Sequence, residues 1–159
     1  MRKPLWTPSK ERVQQANITK FIRLVNEKHG LKIHSYSELY KWSVERIPDF
    51  WAAMWDFAEI KSSRKYDRVV DDLSRFPGAK WFVGSRLNFA ENLLRYKDDH
   101  LAFVFRGETE KNAWLSYAEL YQVAASLAES LRKLGVKQGD RVAAYMPNLM
   151  ETATAMLAT

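Results

Sequence analysis

Cysteine is absent from the 159 residues, which excludes disulfides, thiolate metal sites and a cysteine nucleophile. No apolar run approaches the roughly 18 residues that a membrane-spanning helix needs. The basic opening "MRKPLWTPSKERVQQ" leads into no apolar signal-peptide core. These features together predict a cytoplasmic protein with no membrane span. The nucleotide and hydrolase signatures G-x-x-x-x-G-K-[ST], G-x-G-x-x-G and G-x-S-x-G are missing as well. "GAKWFVGSR" comes nearest to the first, but its spacing is wrong and arginine stands where lysine belongs.

What is present is apolar and aromatic. Hydrophobic residues make up 47% of the chain and aromatic ones 13%, enough to build a core rather than a disordered segment. The net charge of +6 raises the question of nucleic acid. Basic residues are interleaved with acidic ones, as in "KERVQQ", "RKYDRVVDD" and "RGETEK". A nucleic-acid footprint needs basic groups clustered on one face, so the expectation is a mixed, solvated surface and no nucleic-acid partner.

The texture changes along the chain near residue 96. Before it the pattern is helical. Asn17 is a candidate cap for a helix carrying Ile18, Phe21, Ile22 and Val25, with Gly30 beyond its end. "SYSE" at Ser35 has the form of a capping box, and Pro48 interrupts the helix it opens. "DFWAAMWDFAEI" puts Phe50, Met54 and Phe57 on one stripe, with Trp51 and Trp55 beside it. "KYDRVVDD" reads as a short strand, "FPGAKWFVGSRLN" as a loop that turns more than once, and Asn88 with Glu91 as another helix start.

After residue 96 the pattern is α/β. "LAFVFRG" predicts a buried strand, and "NAWLS" its partner across a turn. "SYAE" at Ser116 is a further capping box. The helix behind it carries Leu120, Val123, Ala124, Leu127, Leu131 and Leu134, and Gly135 closes it. "RVAAYM" predicts a second buried strand. Strand, helix and strand then make a crossover unit with a parallel pair. Asn148 and Glu151 predict a capped helix at "LMETATAMLAT".

Candidate chemistry is thin. His29, His34 and His100 have no partner at metal-ligand helical spacing, and surface or loop positions account for them. The carboxylates of "VVDD" read as solvated loop groups. The tryptophans at 42, 51 and 55 have two readings, base stacking and core packing. Their helical spacing with Phe50, Met54 and Phe57 favours the core.

Three stretches, taken in order, resemble the short-chain acyl-CoA synthetases. "LYKWSVERIPDFWAAMWDFAEI" resembles their tryptophan-rich N-terminal segment. "WFVGSRLNFAENLLR" resembles the signature that leads into their large domain. "LSYAELYQVAASLAESLRKLGVKQGDRVAAYMPN" resembles the first helix and strand of that domain. Where relatives often carry proline before the last helix's glutamate, this chain has Met150. The resemblance implies an α/β fragment: a helical segment over 1–96, then, over 97–159, the first β-hairpin and βαβ unit of the AMP-binding domain of an adenylate-forming enzyme.

It also implies an AMP-forming ligase that uses ATP, CoA and Mg²⁺ on a small acid, acetoacetate being the acid of the branch that "RLNFAENLL" and "YMPN" resemble most. Acetate and propionate stay open as alternatives. So does a free-standing interaction module, against which the uncapped last helix argues. The family's phosphate loop, adenine-contacting segments and mobile-domain lysine match nothing in these residues. The catalytic, cofactor-binding and metal-binding residues expected in this chain are therefore none. The chain reads as an N-terminal fragment, inactive alone, whose partner is the remainder of its own polypeptide.

Overall fold

The computed structural model describes residues 5–108 and 112–159. The chain folds as two units, Met1–Arg86 and Leu87–Thr159. Among the described residues there are seven helices and two two-stranded antiparallel sheets.

The first unit opens with α1 (Lys10–Gln15), capped by the Ser9 side chain, and α2 (Asn17–His29). Asn17 does not cap α2. Ala16 ends α1 and begins α2 at once, in extended conformation, so Asn17 is already the first helical residue. Gly30 closes α2 in the left-handed region, φ 64°, with its N–H donating to the Asn26 carbonyl.

The capping box at Ser35 forms as predicted and opens α3 (Tyr36–Glu45). The Glu38 N–H donates to Ser35 Oγ at 3.3 Å, and Glu38 Oε2 accepts from the N–H groups of Ser35 at 3.0 Å and His34 at 2.7 Å. The His34 N–H, first among these bonds, holds the Glu38 carboxyl below its ordinary range. Ser35→Ala is expected to lower stability by about 1 kcal/mol, measured by urea unfolding. An unchanged midpoint would show that the box contributes nothing.

Pro48 lies in the first turn of α4 (Ile47–Phe57), where its missing N–H costs no helical bond. It thus separates two helices rather than only ending one. Phe21 and Val25 of α2, Ile33, Leu39 of α3 and Ala53 of α4 form the core, with Trp42, Phe50, Met54 and Phe57 packed against it. β1 (Arg68–Val70) pairs antiparallel with β2 (Trp81–Val83), Arg68 opposite Val83 and Val70 opposite Trp81. The stretch 76–88 is thus not all loop. It contains a strand whose partner is the "RVV" of the preceding segment, a pairing that local turn signals do not reveal.

The second unit begins with α5 (Phe89–Leu93), where Asn88 Oδ1 accepts from the Glu91 N–H at 2.8 Å. β3 (Leu101–Arg106) and β4 (Asn112–Ser116) form the predicted hairpin. α6 (Tyr117–Lys133) starts at the predicted Ser116–Glu119 box. Leu94, Leu120, Ala124 and Leu157 make this unit's core, with Ala90, Ala102, Phe103 and Leu115 against it.

Three expectations fail in this unit, each for a physical reason. β3 is not buried on both faces: Leu101 and Val104 are exposed, and Ala102 and Phe103 turn toward the core. Antiparallel hairpins covered on one face behave this way. Arg141–Met146 forms no strand, and Tyr145 is fully exposed. A strand needs a neighbour for its N–H and C=O groups, and none of the described residues provides one. Among the described residues there is therefore no parallel pair. The last helix, α7 (Met150–Ala158), takes Leu149 rather than Asn148 as its cap. The Pro147 carbonyl accepts the Leu149 N–H at 2.9 Å and the Thr152 hydroxyl at 2.7 Å, a turn that leaves Asn148 outside the helix.

Candidate functional site

Two recesses of the first unit are walled by aromatic rings. One, of about 320 Å³, is lined by Ile18, Phe21, Tyr36, Tyr40, Phe50 and Met54 among others. A second, of about 600 Å³, is lined by Val44, Ile47, Trp51, Leu73, Phe76 and Trp81 among others. Both are apolar, and neither is lined by a histidine, a carboxylate or a lysine. They can hold apolar surface; their polar lining is the Asn17 amide and the Ser43, Tyr36 and Tyr40 hydroxyls in the first and Ser43 and Arg75 in the second, with no histidine or carboxylate lining either recess to act as a base.

The aromatic stripe of α4 explains this arrangement. Trp55 is buried, 4.7 Å from Phe82 and 5.2 Å from Tyr66 between ring centroids. Phe82 has φ 47°, a conformation rare for a bulky residue, and ring packing against Trp55 and Tyr66 accompanies it. Trp42 meets Phe50 at 6.2 Å. Core packing thus accounts for Trp42 and Trp55. Trp51 departs from it: it stays 40% exposed and meets Trp81 at 6.0 Å. The short β1–β2 hairpin covers one end of the stripe and leaves Trp51 at its margin.

The polar residues weighed from the sequence are dispersed. His34 and His100 are exposed, and His100 Nδ1 lies 3.0 Å from Asp98. His29 ends α2 against the Trp42 ring, and its Nε2 is buried with no hydrogen-bond partner among the described residues. It is therefore not the plain surface histidine expected. Asp71 is tied into the hairpin, with Oδ1 accepting the N–H groups of Lys80 and Asp72, each at 2.7 Å. The Lys80 N–H leads in holding its carboxyl low. Asp72 Oδ1 accepts from the Ser74 N–H and hydroxyl. Both carboxylates of "VVDD" thus serve the turn. Among the described residues no group of three or more histidines and carboxylates is placed to hold a metal ion.

Sequence reasoning missed one ionic centre. Asp56 of α4 binds Lys28 of α2 and lies 3.6 Å from Lys65 Nζ. Its partners are far away in the chain, so no local pattern signals it. The hydrogen bond from Lys28 is the largest influence on the Asp56 carboxyl and pulls it below the usual aspartate range, against the opposing effect of burial. A depressed folded value means the stabilisation is present above the unfolded value near 3.9 and is lost as pH falls through the lower folded one. Asp56→Asn is expected to flatten the stability–pH curve in that acidic window and to change its slope little at pH 7 and above. Denaturant midpoints across pH measure this, and an unchanged acid slope would refute it.

Comparison with known proteins gives this geometry a setting. Residues 36–93 match the family described as acetyl-coenzyme A synthetase N-terminus, and residues 89–159 match the AMP-binding enzymes. The chain is 43% identical over 159 residues to acetoacetyl-CoA synthetase from Xenopus tropicalis, covering 98% of this chain and 23% of that one. It is 38% identical to acetoacetyl-coenzyme A synthetase from Rhizobium meliloti, and 36% identical over 146 residues to a malonamoyl-CoA synthetase from Penicillium aethiopicum. Among solved structures, acetoacetyl-CoA synthetase from Streptomyces lividans superposes with a TM-score of 0.84 at 40% identity, over 99% of this chain and 25% of that one. The chain spans about a quarter of the length of these relatives.

Proposed function

We propose, for a chain related along its whole length to the acetoacetyl-CoA synthetases, that the protein carrying it is an AMP-forming acid–thiol ligase acting on acetoacetate. The acid's carboxylate oxygen attacks the α-phosphorus of ATP, and pyrophosphate leaves. The CoA thiolate then attacks the acyl carbonyl of the adenylate, and AMP leaves. The first step is needed because a carboxylate is a poor electrophile until its oxygen departs as a phosphate ester. Mg²⁺ offsets phosphate charge in such chemistry. The observation that carries the reading is 40% identity to a solved acetoacetyl-CoA synthetase with matching backbone over 99% of the chain.

No residue of this chain is proposed to hold ATP. The glycine-bearing stretch nearest to a phosphate loop contributes a strand to a hairpin, and the two aromatic-walled recesses of the first unit are apolar. No step of the reaction is therefore assigned to a residue of this chain. Its part is to scaffold: a helical unit with its own core, and the opening elements of an AMP-binding domain.

ATP–pyrophosphate exchange with the full-length protein tests the proposal. Exchange dependent on acetoacetate is expected, together with none from the isolated 159 residues. Exchange by the isolated chain would overturn the scaffold role. A second reading, a ligase for another short acid, draws on the likeness to malonamoyl-CoA synthetase. Exchange with malonamate, acetate or propionate but not acetoacetate would select it. The ligase reading also places the protein in the cytoplasm, where ATP and free CoA are both at hand, and fractionation of cells expressing the full-length protein checks this.

A further inference from the structure

We draw no further inference here: the strongest candidate, the apolar recess of the first unit walled by Ile18, Phe21, Tyr36, Tyr40 and Phe50 on α2, α3 and α4, carries nothing because nothing in the structure shows what covers it.

Discussion

Replacing Phe21 by alanine is expected to remove about 3–5 kcal/mol from the stability of the first unit. Phe21 is 3% exposed on α2. Its ring meets Phe57 at 5.2 Å and Phe50 at 5.7 Å, both edge-on, so it joins α2 to α4. Two terms add. The lost apolar area returns to water on unfolding, and the cavity left behind cannot be refilled by neighbours held on separate helices. Each edge-on ring pair accounts for about 0.5–1.5 kcal/mol of that loss. A loss of that size is comparable to the whole stability of a small unit, so the variant is expected to be largely unfolded at 37 °C. Phe21→Leu keeps most of the bulk and is expected to cost less than about 1.5 kcal/mol. Denaturant unfolding, followed by tryptophan fluorescence, separates the two. A Phe21→Ala loss under about 1 kcal/mol would show that α2 and α4 are not held together by this ring.

The features legible in the sequence are those whose partners lie three or four residues away. Ser35 with Glu38, Ser116 with Glu119 and Asn88 with Glu91 each form because both members are on one turn. The stripe of α4 and the core face of α6 follow from the same periodicity. Cap position is less secure where the backbone path into the helix, rather than a side-chain acceptor, sets the first residue. Ala16 displaced Asn17 because α1 ended one residue earlier, and a Pro147-centred turn displaced Asn148. Strands fare worst, since a strand exists only through a remote partner. "LAFVFRG" and "NAWLS" are close enough in sequence to find each other. β2 was hidden inside a glycine-rich loop, and "RVAAYM" has a strand's composition but no partner among the described residues.

The functional reading became legible by a different route. No residue or spacing in the chain signalled chemistry, and among the described residues no group of three or more histidines and carboxylates is placed to hold a metal ion. Family likeness carried the reading instead, through three motifs in the correct order. The comparisons extend that likeness to 98% of the chain. The ionic centre at Asp56 shows the limit of local reasoning: Lys28 and Lys65 approach it only after α2, α4 and the segment before β1 have packed.

Gly84→Ala is expected to cost roughly 1–3 kcal/mol, and the reason settles what this glycine is for. Gly84 has φ 84°, a backbone conformation that side chains disfavour. A Cβ built there would stand 2.2 Å from Asp67 Oδ2 and 2.9 Å from Asp67 Cγ. The space a side chain would need is filled by a carboxylate, which Arg64 Nη2 holds at 3.0 Å. The backbone around it is closely paired, with the Asp67 N–H on the Val83 carbonyl at 2.8 Å and Arg86 bridged to Arg64. The clash can be relieved by swinging Asp67 away, which forfeits the ion pair, whereas the backbone strain stays. A double-mutant cycle divides the two. In an Asp67→Ala background the cost of Gly84→Ala is expected to fall but not to vanish, because only the strain remains. An unchanged cost would mean the carboxylate is not what the glycine accommodates. A phosphate cradle turns its glycine amides toward an anion from outside. Here the anion beside Gly84 is the protein's own Asp67 carboxylate, paired with Arg64, and the glycine permits its close approach to the β1–β2 hairpin.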